Sequence, residues 1–300
     1  MKLNRRTFLK TSSLVTAGLL LPSNQLLNAL QQDTNGSMNL LRNNIGTFTE
    51  KGGTIGWLIS DDAVIVIDSQ FPDSAKHFIT KMMEKTDRNI DYLINTHHHS
   101  DHTAGNFMMN KLTDKIVAQE NAVELQKQFY GKGENASSQV YANITFSDKW
   151  KTDLGNESIS LFHHWNAHTG GDAVIHFENA NIAHLGDLVF NGVYPYMDRP
   201  GGTNLEGWIK FLDELISFFD NDTLFIFGHG TKITGTKNDI ITKRNYLSAL
   251  NEYVKDQIVA GKAEEEILNS KPLPGFDDLT PMWKNAFKMN LKAAYDELTL

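Results

Sequence analysis

"THHHSDH", Thr96 to His102, places four histidines and one aspartate in seven residues, directly after the apolar run "YLIN". A single histidine is ordinarily a satisfied polar residue, and His77, His163, His164, His176 and His184 read that way. Four in seven, with a carboxylate among them, read as metal donors, because imidazole and carboxylate suit zinc and similar divalent ions. Side chains two apart in an extended backbone point the same way. His97 and His99 can therefore converge on one ion, with Asp101 and His102 at the next turn. Seven residues do not close a metal site by themselves, so further donors are expected at the ends of other strands.

Three candidates appear downstream. His168 in "NAHTGGD" precedes the strand-like run "AVIHF". Asp187 in "HLGDLVF" ends the run "NIAHL". His229 in "FGHG" ends "TLFIF". Glycine lies close to each, permitting sharp turns and close approach.

Around these points the chain alternates between strand and helix patterns. From Gly46 to Ser69 the chain reads as β, with "TIGWLIS" and "AVIVIDS" as strands separated by a turn at Asp61 and Asp62, and "SAKHFITKMMEK" has helical periodicity. "NIDYLINT" is a short strand running into the histidines. "TAGNFMMNKL" starts a helix, "KIVAQ" is a strand and "NAVELQKQFY" a helix. Residues 131–150 look polar and irregular. Strands resume with "SISLFHH", "DAVIHFE" and "NIAHLGD". A Gly/Pro-rich loop, "NGVYPYMDRPGGT", leads to an amphipathic helix through Trp208, Phe211, Leu215 and Phe219. The last seventy residues read as mostly helical, broken at "KPLPGFDD". Trp283, Phe287, Leu291 and Tyr295 form an apolar stripe there, of the kind that is usually core and that would mark a homodimer contact if exposed. Two sheets with helices outside them follow from this alternation.

These residues resemble the metallo-β-lactamase superfamily, whose signature is His-x-His-x-Asp-His, then a His, then an Asp or Cys, then a last His. The resemblance spans about residues 40 to 235 and matches every motif position. It implies an α/β (α+β) fold, a four-layer αββα sandwich, with two divalent metal ions at one edge of the sheets. Zinc is the expected ion; iron or manganese would suit the same donors. Carried over position by position, the resemblance assigns His97, His99 and His168 to one metal and Asp101, His102 and His229 to the other. Asp187 bridges them. His98 occupies the variable position and is expected to pack rather than ligate. The domains implied are a leader and linker over 1–36, a catalytic domain over 37–237 and a helical extension over 238–300 packed on it.

The implied activity is hydrolysis by a hydroxide shared between two ions ~3.5–4 Å apart, acting on an ester, lactone, thioester or amide-like bond of a small molecule. Asp101 both ligates and orients the nucleophile, which makes it the expected catalytic residue. Asp187 stands where many lactamases carry Cys or Ser. Phe190 stands where lactamases often carry a Lys that grips the drug's carboxylate, so β-lactam hydrolysis is the alternative and not the first reading. A glyoxalase II-like thioesterase is a second alternative: "THHHSDHTAGN" is close to that motif, but that family continues its last ligand as Gly-His-Glu-Tyr, whereas this chain has Gly-His-Gly-Thr. On the substrate side, Tyr194, Tyr196 and Arg199 in the loop after Asp187 are the candidates. More remote are a di-iron redox protein, whose flavodoxin partner segment is missing here, and a non-catalytic metal-binding protein.

A formal charge of −8 argues against a nucleic-acid partner, and the absence of Cys excludes disulfides, thiol catalysis and thiolate ligands. The stretch "NRRTFLKTSSLVTAGLLLP" sets Arg5 and Arg6 before a short apolar run. It resembles a twin-arginine (Tat) export signal, and so implies the Tat machinery as a partner and a periplasmic or otherwise extracytoplasmic location.

Overall fold

The computed structural model describes residues 36–133 and 136–299. The twin-arginine-like stretch lies outside the described residues. The chain forms two compact units. The first holds the residues up to Asn95, then 99–117 and 130–144; the second holds 96–98, 118–129 and everything from Thr145 onward. Asn95 and His99 thus belong to the first unit, while Thr96, His97 and His98 belong to the second.

The first sheet runs in sequence order through β1 (Ser37–Arg42), β2 (Ile45–Thr49), β3 (Ile55–Ile59), β4 (Val64–Ile67), β5 (Tyr92–Ile94), β6 (Ile116–Gln119) and β7 (Ile144–Phe146). The pairings from β1 to β4 are antiparallel, and β4, β5 and β6 are parallel. Parallel neighbours need a crossover, and α1 (Pro72–Met83) supplies it between β4 and β5. Its Ala75, Phe78, Ile79 and Met82 form the stripe that the sequence periodicity marks, packed with Phe48, Trp57, Val64, Val66 and Leu93. Leu58, Ile65, Ile67 and Ile94 alternate with those strand residues and are equally buried. Both faces of these strands are therefore covered, and their sequences read as unbroken apolar runs. After β5 the motif folds into two short helices, α2 (Ser100–Thr103) and α3 (Asn106–Met109), and α4 (Glu120–Tyr130) follows β6.

The second sheet contains β8 (Lys149–Leu154), β9 (Glu157–Phe162), β10 (Val174–Phe177) and β11 (Ile182–His184). After the two-residue strand β12 (Phe190–Asn191) come α5 (Leu205–Phe218), β13 (Leu224–Ile226), β14 (His229–Gly230) and β15 (Thr234–Gly235). The order across the sheet is β15-β13-β11-β10-β9-β8, and β12 pairs separately and in parallel with β14, which sets Phe190 opposite His229. The chain ends in α6 (Lys237–Val259), α7 (Glu264–Leu268) and α8 (Ala286–Thr299). Trp208, Phe211 and Leu215 of α5, Tyr246 and Leu250 of α6, and Leu291 of α8 share one core with Val174, Ala183 and Phe225 of the sheet. Trp283, Phe287 and Tyr295 pack against that core, so the terminal stripe faces inward. No helix among the described residues is long and apolar enough to cross a membrane.

Two expectations need correction. Residues 131–150, read as irregular, carry β7 and the first residues of β8. β1 precedes the point where strand patterning begins in the sequence; its "SMNLLR" has no residue fully buried, so no apolar alternation announces it.

Candidate metal centre

In the second unit, three predicted imidazole donors meet at one carboxylate. Asp187 follows β11 on a 3-10 turn and is almost fully buried. Its Oδ2 lies 3.5 Å from His168 Nε2, 3.5 Å from His229 Nε2 and 3.9 Å from His97 Nε2. These separations are too long for N–H···O hydrogen bonds, which span ~2.7–3.2 Å. Two donors each ~2.0–2.1 Å from one tetrahedral zinc stand roughly 3.4 Å apart, and the observed spacings match that. Ligand atoms of His97, His168 and Asp187 all lie within 4.8 Å of one another.

The other ring nitrogen of His168 and of His97 is occupied. His168 Nδ1 lies 3.0 Å from the carbonyl oxygen of Tyr196, which can only accept, so Nδ1 carries the proton and Nε2 keeps its lone pair. His97 Nδ1 lies 3.0 Å from Thr96 Oγ1. The His229 ring stacks on Phe190, with centroids 5.6 Å apart and planes 13° apart. Close backbone packing sets Asp187 in place: Gly228 N–H donates to the Gly186 carbonyl at 2.7 Å, and a Cβ at Gly228 would fall on Asp187 Oδ1. His168 sits in a tight turn. Thr169 donates to Asp172 through its N–H at 2.8 Å and its hydroxyl at 2.7 Å. Burial pushes the Asp172 carboxyl up to about 7, against those hydrogen bonds.

The first unit holds the motif's second half. His99 caps α2, and its carbonyl accepts from the N–H groups of His102 and Thr103, both at 3.0 Å. This turn brings Asp101 Oδ2 to 3.7 Å from His102 Nε2. His102 Nδ1 lies 2.7 Å from Asp68 Oδ2, with both side chains fully buried. A carboxylate behind a ligating imidazole fixes its orientation and raises its basicity.

His98 is placed apart from Asp187. It is buried, its Nε2 lies 3.5 Å from Asp198 Oδ2, and its ring packs on Phe129 at 5.3 Å. The loop candidates divide. Tyr194 is buried between Tyr246 and Phe287 as part of the core. Tyr196 is 39% exposed, with its ring 6.4 Å from that of His168. Arg199 pairs with Glu297 at 2.8 Å and donates to the Thr203 carbonyl at 2.7 Å. The remaining histidines behave as ordinary polar residues: His77 meets Glu50, His163 the Asp172 carbonyl, His164 Glu214, His176 the ring of Phe219, and His184 accepts from Gly186 N–H.

Sequence reasoning missed Asp68, Asp198, Thr96 and the Tyr196 carbonyl. Asp68 had a signal: it closes the apolar run "AVIVI" as Asp187 closes "NIAHL". The other three follow from tertiary placement.

The family model described as "Metallo-beta-lactamase superfamily" matches residues 49–229. None of the curated proteins matches the chain. Among solved structures, the chain is similar to the stereoselective inverting sec-alkylsulfatase Pisa1 from Pseudomonas sp., with a TM-score of 0.70 at 12% identity over 88% of this chain and 50% of that one. The chain therefore spans about half the length of the alkylsulfatase. It is also similar to the metallo-beta-lactamase from Pontibacter korlensis, with a TM-score of 0.62 at 13% identity over 71% of this chain and 99% of that one. The DIM-1 metallo-beta-lactamase aligns with a TM-score of 0.58 at 17% identity, over 71% and 97% of the two chains. At these identities the likeness shows the mixed α/β fold.

Proposed function

Because the chain belongs to the metallo-β-lactamase superfamily, we propose that it is a two-metal hydrolase of a small ester, lactone, thioester or amide-like substrate. His97, His99 and His168 would hold one divalent ion, Asp101, His102 and His229 the other, and Asp187 would bridge them. The observation that carries this reading is Asp187 Oδ2, a single oxygen at co-ligand distance from imidazoles assigned to both ions. The donor chemistry fits hard or borderline dications, zinc first, since it is all imidazole and carboxylate and the chain has no thiol.

When bound, such a pair supplies a hydroxide at neutral pH and polarises the scissile carbonyl or equivalent centre. The chain's own residues do the rest. Asp187 would present Oδ2 to both ions from a buried position. Asp101, half-exposed at the turn of α2, orients the attacking water and can take its proton. Asp68 holds His102 through Nδ1, and the Tyr196 carbonyl holds His168. Phe190 is buried against His229, so the position that grips a drug carboxylate in many lactamases offers no cation here. That favours a substrate other than a β-lactam. The twin-arginine-like stretch supports work outside the cytoplasm after export of the folded protein.

The test is metal analysis joined to a substrate panel. Zinc-loaded protein is expected to hold two equivalents, and Asp101→Ala or Asp187→Ala to lose at least one. Chromogenic lactone, thioester, phosphodiester, β-lactam and alkyl sulfate substrates then define the bond class; the sulfate enters through the likeness to the alkylsulfatase. Full metal content and activity in both variants would refute the two-metal reading. Bound iron with oxygen uptake would move the protein to the redox class.

A further inference from the structure

The loop that carries Tyr196 contains no helix and only a one-residue bridge, yet its carbonyl sets the tautomer of His168. Polar groups of an irregular buried segment must find partners outside a ladder. Their partners here come from one place. The Gly192 carbonyl accepts from Thr280 N–H at 3.0 Å, and Tyr194 N–H donates to the Thr280 carbonyl at 3.2 Å. The Val193 carbonyl accepts from Lys243 Nζ at 2.8 Å, and the Pro195 carbonyl from Asn290 Nδ2 at 2.7 Å. The next carbonyl is that of Tyr196, which accepts from His168.

Thr280, Lys243 and Asn290 all lie beyond residue 229, where the family match ends. Lys243 and Asn290 are buried, on α6 and α8. Lys243 has no carboxylate beside it among the described residues; its amine meets the Val193 carbonyl and the face of Tyr246, 5.1 Å from the ring centroid. Burying an amine this way costs several kcal/mol, so packing alone does not account for it. Asn290 is held in turn by the Tyr246 hydroxyl, which donates to Oδ1 at 2.7 Å and so fixes the amide with its NH2 towards Pro195. A few residues further on, Arg199 pairs with Glu297 of α8, which also accepts from Leu205 N–H at the start of α5. The terminal helices thus clamp the loop on both sides of Tyr196.

We propose that Lys243 and Asn290 are positioning residues for the metal site: they fix the Val193–Tyr196 backbone so that the Tyr196 carbonyl holds His168 with Nε2 facing Asp187. The inference rests on the two-metal reading above and assigns the helical extension a part in it. Partners behind a ligating imidazole typically change metal affinity 10–100-fold when removed.

The experiment measures zinc retention against a competing chelator, and the visible spectrum of the cobalt-substituted protein, in Lys243→Met, Asn290→Leu and Tyr246→Phe. Lys243→Met and Asn290→Leu are expected to weaken one of the two metals at least tenfold and to alter the cobalt bands. Lys243→Gln, which keeps a donor, should restore part of that loss, and serves in its place if the methionine variant does not fold. Tyr246→Phe keeps both donors to the loop but removes the hydrogen bond that fixes the Asn290 amide, so it should lower stability and cost less metal affinity than Asn290→Leu. Unchanged retention and spectra in folded Lys243→Met and Asn290→Leu would overturn the proposal, as would equal metal loss in Tyr246→Phe. A parent protein that binds no metal would instead remove the function reading on which it stands.

Discussion

Gly186→Ala tests whether backbone packing behind the metal ligands is tuned to the site. Gly186 has φ +50°, and a Cβ there would stand 2.8 Å from both Cβ and Oγ1 of Thr96. A side chain at positive φ costs ~1–2 kcal/mol. Relieving the contact requires Thr96 to retreat by roughly 0.6 Å or more towards ordinary van der Waals separation. Thr96 Oγ1 is also the partner of His97 Nδ1, so that movement sacrifices a hydrogen bond worth ~1 kcal/mol. The sum is about 2–3 kcal/mol of lost stability, together with a His97 ring no longer held. Gly261→Ala separates the two causes. Its φ is +75° with nothing within 4 Å of the added Cβ, so it bears the backbone cost alone. Urea unfolding of the metal-free proteins should show the larger loss in Gly186→Ala. Chelator competition should show weaker metal binding, by ~10-fold or more, in that variant only. Equal destabilisation and equal metal retention in both would refute the claim that Thr96 and Gly186 form a fitted support for His97 and Asp187.

His98→Ala should keep the parent's metal equivalents by elemental analysis while losing about 2–4 kcal/mol of stability, because it empties a buried site and removes the imidazole beside Asp198 Oδ2; loss of a metal equivalent would make His98 a ligand. Burial lowers the Lys243 amine to about 7, so between that pH and the unfolded value of ~10.4 the unfolded chain binds a proton that the folded chain does not. Stability of the metal-free protein should therefore rise with pH through that window, by on the order of 3 kcal/mol from about pH 7 to 9.5. Denaturant melts of Lys243→Met should lack that rise, and an identical pH profile would show that the amine is not buried as described.

The candidate donors were legible because their chemistry is local and their order along the chain is distinctive. The motif follows one apolar run, Asp187 and His229 end two others, and His168 precedes a fourth. The supports were not legible for the opposite reason. Thr96 is one of many threonines until Gly186 is seen against it, and the Tyr196 carbonyl carries no mark of residue type at all. Tyr194 and Tyr196 look equivalent in "VYPYMD", yet one turns into the core formed by α6 and α8 while the other stays half-exposed beside His168. That split follows from the terminal helices, whose apolar stripe could be read in sequence but whose partner could not. Lys243 sharpens the point. In sequence it is an ordinary helix lysine, four residues before Leu247, and nothing nearby predicts that its amine is buried. Only the fold brings Val193 to it, 50 residues away along the chain. Side chains that bind an ion can be read from type and spacing; those that hold the binders still act through backbone atoms that every residue shares.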